Sequence, residues 1–127
     1  MSERVYNLSY FLLEPQYTAA VRAALESKVK AGLFKKDKEV LALLHAFQQG
    51  KCTLDQAERI LANVILVSRE TSARITPANV GSLAVLNGAM RRLASTVQKL
   101  QQEEKDHPDA PEEEISVRVM TALRSEH

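Results

Sequence analysis

The chain has no tryptophan, a single cysteine and few aromatic residues, 5% of its 127 positions. One cysteine, Cys52, excludes an intramolecular disulfide and suits a reducing compartment. So few rings leave little material for a platform on which unpaired bases stack, or for lining a bulky ligand pocket. Long apolar runs are also missing. Val64 to Val67 and Tyr10 to Leu13 fall far short of the roughly 20 residues that span a bilayer, so no membrane segment is expected. Met1 to Asn7 lacks the basic-then-apolar order of a secretory leader, which makes the cytoplasm the default location.

What is present reads as a globular chain with one core. Hydrophobic residues make up 45% and charged residues 26%, near the averages for folded domains, and the length supports one core rather than two. The net charge of +1 hides an asymmetry. Met1 to Leu100 holds 14 Lys and Arg against 8 Asp and Glu, a net of +6, while Gln101 to His127 holds 3 against 8, a net of −5. A basic body, residues 1–105, is therefore expected to carry an acidic linker and C-terminal helix, residues 106–127.

Hydrophobic spacing predicts an all-α bundle of four to five helices. Residues 4–13 are the ambiguous stretch. Tyr6, Leu8, Tyr10 and Leu12 alternate as in a short strand, while Val5, Leu8 and Leu12 also suit a helix, and Glu14-Pro15 ends either. A first long helix follows from Pro15 to Ala31, with Gly32 as its stop, and a second from Asp37 to Gln49, closed by Gly50. Thr53 and Gln56 form a capping box for a third, whose apolar face runs from Leu54 to Ile65 and is broadened by Leu66 and Val67. Thr76-Pro77 signals the start of a fourth, with a hydroxyl at the N-cap and proline where its missing amide costs nothing.

That fourth helix carries Leu83, Leu86, Met90, Leu93, Val97 and Leu100 at heptad spacing and, running to about Lys105, would be about 40 Å long. The length suggests that its C-terminal turns project, and that Met90, Leu93, Val97 and Leu100 pair two copies in a coiled-coil-like homodimer. An internal seam has the same spacing. Pro108 and Pro111 mark a linker, and a last helix from Glu112 to Arg124 is too short to persist alone, so Ile115, Val119 and Leu123 are expected to dock, with the lysines from Lys28 to Lys51 attracting its acidic start.

No constellation points to catalysis. Gly50-Lys51 lacks the glycine, hydroxyl and preceding strand of a phosphate-binding loop. Cys52 has no neighbouring base, and His45, His107 and His127 are not spaced to share a metal, so neither a cofactor nor a metal is expected. Glu112, Glu113 and Glu114 are most simply partners of a helix dipole. Helices two and three resemble a helix-turn-helix, with Lys28, Lys30, Lys35, Lys36, Lys38 and Lys51 as a candidate patch for phosphate or an acidic partner. The third helix, however, continues where such a module would break for a recognition helix. The reading that follows is a non-enzymatic helical module that binds another protein and associates with itself. A small nucleic-acid-binding regulator is the alternative.

Overall fold

The computed structural model describes residues 3–31 and 36–126, without the side chains of residues 31, 36 and 37. Six helices, and no strand, are present among the described residues: α1 (Leu8–Leu12), α2 (Pro15–Ala31), α3 (Lys36–Gln49), α4 (Leu54–Ser72), α5 (Val80–Asp106) and α6 (Glu112–Arg124). None is long and apolar enough to cross a membrane. The expected stop at Gly32 lies outside the described residues.

The ambiguous N-terminal stretch is resolved as a helix, preceded by a single bridge rather than a strand. Tyr6 makes one antiparallel bridge with Cys52, its amide donating to the Cys52 carbonyl at 2.7 Å and its carbonyl accepting from the Cys52 amide at 2.9 Å. One residue later Asn7 caps α1, its side chain accepting from the Ser9 amide. The α3–α4 turn forms as its glycine requires. Gly50 takes φ +70°, and the Gly50 and Lys51 amides donate to the carbonyls of Phe47 and Ala46, closing α3 with a Schellman motif. Thr53 then starts α4 with both hydrogen bonds of its capping box. The start of the fourth long helix differs from expectation: α5 begins at Val80, not Pro77. Asn79 holds the intervening turn, accepting from the Thr76 amide and donating to the Arg74 carbonyl, so the helix begins one turn late.

At the centre is α5, which packs against α1, α2, α4 and α6. Leu86, Ala89, Leu93, Val97 and Leu100 are buried in the one core cluster, which also takes in Leu8, Phe11 and Leu12 from α1, Val21 and Leu25 from α2, Ile60 and Val64 from α4, and Ile115, Val119, Met120 and Leu123 from α6. This corrects the self-association reading. Leu93, Val97 and Leu100 are spent inside their own chain, and Met90 is partly buried against the same core, so the heptad is an internal seam. Nor do the C-terminal turns of α5 project, since Leu100 is fully buried and the residues beyond it meet the N-terminal arm.

Ile115, Val119 and Leu123 are fully buried against the body. The acceptor differs from the one expected. Where the lysines from Lys28 to Lys51 were to attract the tail, α6 lies on α5, with Glu126 joined to Lys99 and Ser95 at the far end. The buried hydroxyls of Ser68 and Thr96 have partners: Ser68 of α4 donates to Asn87 of α5 at 2.6 Å, and Thr96 donates to the Arg92 carbonyl. Asn87, which interrupts the heptad, sets the register of the α4–α5 pair in this way.

Because α6 owes its order to packing, two substitutions on it should separate cleanly. Leu123→Ala should cost about 2–5 kcal/mol in chemical denaturation. Val117→Ala, at a side chain 63% exposed, should stay within about 0.5 kcal/mol. Equal effects would mean that α6 is not docked in solution.

Candidate functional site

Two irregular segments, the N-terminal arm from Glu3 to Val5 and the linker from Pro108 to Pro111, run side by side at the end of the bundle. Neither has a hydrogen-bonding ladder of its own, and backbone groups in such segments need other partners. Arg4 supplies them. Its Nε donates to the Ala110 carbonyl at 2.9 Å, and Nη2 donates to the carbonyls of Pro108 and, at 3.5 Å, His107. Its remaining nitrogen lies 3.6 Å from the Glu104 carboxylate. Tyr6, two residues on, donates its hydroxyl to the other oxygen of Glu104 at 2.5 Å. The arm is thus fixed to the α3–α4 turn by its backbone and to α5 and the linker by its side chains.

Between these segments and the first turns of α4 and α6 lies an open groove of about 940 Å³. Glu3 and Asp109 stand on its irregular walls, Asp55 on α4, Glu104 on α5 and Glu112 on α6, and Arg4 is the one cation among the lining residues. Val5, Leu54, Ala110 and Pro111 give it an apolar component. Of the five carboxylates, Glu104 is engaged by Arg4 and Tyr6 and Asp55 is paired with Arg59 at 3.0 Å, while Glu3, Asp109 and Glu112 have no ion-pair partner among the described residues. The groove therefore keeps a negative potential suited to a positively charged, partly apolar ligand.

Tyr6 and Cys52, close to the groove, are held neutral. Burial pushes the Tyr6 hydroxyl well above the usual phenol range; the hydrogen bond to Glu104 and the charge there push the same way, against the weaker influence of Arg4. Burial alone pushes the Cys52 thiol up to about 12. A fully buried thiol so far from ionising offers no thiolate for catalysis. His45 is exposed on α3, and His107 caps α5, with its Nε2 3.6 Å from Glu103. No group of three metal-ligating side chains occurs among the described residues.

Among the described residues the candidate lysines fall at two separate places. Lys28, at the end of α2, is paired with Glu70 at 2.7 Å. Lys30 and Lys38 are exposed near one end of α3 and Lys51 at the other, about 20 Å away along a 14-residue helix. Lys35 and the side chain of Lys36 lie outside the described residues. Reading the sequence missed Arg4, Tyr6 and Glu104, whose partners lie about a hundred residues away. No family model, curated protein or solved structure matches the chain.

Arg4→Ala should leave α2 to α4 intact and speed amide exchange at Ala110 and Glu114, the latter bonded to the Pro111 carbonyl. Unchanged exchange there would show that Arg4 does not hold the linker.

The raised thiol and phenol pKa values both mean that the folded state binds protons the unfolded chain releases. Their contribution to stability is therefore complete below the ordinary thiol pKa of about 8.5 and is lost as pH climbs towards the folded value of about 12. Unfolding free energy should fall across this alkaline window, and more gently in Cys52→Ala. Parallel slopes would clear the thiol of any part in it.

Proposed function

We propose that the chain is a non-enzymatic, protein-binding helical module that receives a basic, partly apolar segment of its partner in the groove between the arm and the linker. The observation that carries this reading is the fixed groove itself: two irregular segments, tied down by Arg4 and Tyr6, hold carboxylates and apolar side chains around a space large enough for several residues of extended chain. Binding groups are characteristically displayed on loops that a rigid scaffold positions. Here the scaffold is the α5-centred core.

The nucleic-acid reading gains nothing from this arrangement. Lys51 stands apart from Lys30 and Lys38, Lys28 is paired, and the groove between arm and linker would repel phosphate. A homodimer seam on α5 is likewise no part of the proposal.

Affinity purification from source cells, with and without nuclease, tests the reading against its rival. The wild type should retain a protein that survives nuclease. A variant with Asp55→Lys and Glu112→Lys should lose it while melting at a similar temperature, because both side chains lie at the groove and outside the core cluster. Material that disappears with nuclease, or that the variant retains in full, overturns the proposal.

A further inference from the structure

A second crevice, about 420 Å³ in volume, opens where the α1–α2 turn crosses the middle of α5. Its floor is Gly88. A Cβ there would lie 2.7 Å from the Tyr17 hydroxyl and 3.0 Å from its ring, so glycine lets α2 and α5 approach this closely. Arg91 and Arg92, the next turn of α5, line one side. Arg91 is exposed and has no ion-pair partner among the described residues, although seven other Lys, Arg and His side chains do. Arg92 donates Nε to the Phe11 carbonyl, the end of α1, and keeps a buried Nη2 with no partner. The two carboxylates that also line the crevice are already engaged, Glu126 with Lys99 and Ser95, and Glu14 with Gln16. With Glu126 paired to Lys99, and Glu14 bonded only to the neutral Gln16, two arginines without ion pairs face one unpaired carboxylate, and the crevice keeps an excess positive charge with Arg91 as its exposed end.

Its rim carries an independent anomaly. Leu13 adopts φ +66° and ψ −47°, the one positive φ at a non-glycine among the described residues, in a tight turn where the Glu14 amide donates to the Leu12 carbonyl at 2.7 Å. A leucine is strained there, and glycine would not be. The strain is not repaid by burial, because the Leu13 side chain is 47% exposed and stands near Tyr10, itself 48% exposed. Strained backbone that holds an apolar side chain out towards solvent is found where display matters more than stability.

We propose that this crevice is a second docking site, for a protein segment that pairs an acidic side chain with an aliphatic one. The carboxylate engages Arg91, and the aliphatic group covers Leu13. Charge complementarity selects the occupant. The crevice attracts what the arm–linker groove repels, so the module presents two sites of opposite preference, and the failure of one leaves the other standing.

The test is a nuclear magnetic resonance titration of the isotopically labelled protein with three probes: a blocked peptide of alternating leucine and glutamate, the same peptide with lysine for glutamate, and inorganic phosphate. The acidic peptide should shift the amides of Leu13, Tyr17, Gly88 and Arg91, and bind more weakly as salt rises. Arg91→Glu should weaken it at least tenfold. Leu13→Gly is the decisive variant, expected to weaken the peptide severalfold while leaving the melting temperature equal or higher. The proposal is overturned if the acidic peptide causes no shift, if the lysine peptide binds equally, if phosphate alone reproduces the shifts with equal affinity, or if Leu13→Gly lowers the melting temperature without touching affinity.

Discussion

Everything in this bundle depends on one constraint: α5 carries more apolar surface than any single neighbour can cover. Its buried residues run from Leu83 to Leu100, and four helices pack around them. That demand explains why the short helices exist. Neither α1, with five residues, nor α6, with thirteen, has enough internal hydrogen bonding to offset the entropy of ordering it. Each is ordered because α5 offers it an apolar surface. Fully buried leucines are worth about 1.5–3 kcal/mol apiece against exposure, so the three or four apolar side chains of each short helix outweigh the ion pairs at its edges.

The same constraint explains which parts of the fold were legible in the sequence. Helix ends written in local chemistry were read closely: the Thr53–Gln56 capping box, the Gly50 stop and the Glu112 start are decided by residues within one turn of themselves. The start of α5 was misplaced because two local signals competed there. Thr76-Pro77 has the composition of a helix start, but Asn79 bonds to both sides of the turn and delays it. The heptad misled for a different reason. A seam between two copies and a seam within one chain bury the same side chains at the same spacing, and only the presence of α1, α2 and α6 around α5 tells them apart. Helix length was no guide either, because the end of α5 is covered by the arm.

Of the candidate site, charge sign was legible and location was not. The acidic character of residues 101–127 was plain, and it reappears as Glu104, Asp109 and Glu112 along the groove. The remaining wall comes from Glu3 and Asp55, which nothing in the sequence joins to that segment. Arg4 looked like one more charge of a basic body, whereas its donors are consumed by carbonyls more than a hundred residues on. Backbone carbonyls have no residue signature, so a side chain that serves them cannot be found by pattern. Of the lysines, read as lying around the turns at either end of the second helix, Lys30 and Lys38 stand at one end of α3 and Lys51 at the other.

The double attachment of the arm has a consequence for biosynthesis. Arg4 and Tyr6 leave the ribosome well before their acceptors at Cys52, Glu104, Pro108 and Ala110. At about 5–20 residues per second, the arm waits on the order of 5–20 s for the carbonyls that hold it. Its docking is therefore the closing event of assembly rather than a nucleus for it, since the long loop must already be drawn in by the core. The groove between arm and linker cannot form in a chain that stops short of its last wall residue, Glu112. Whatever binds there therefore meets only molecules in which residues about a hundred positions apart have already been brought together.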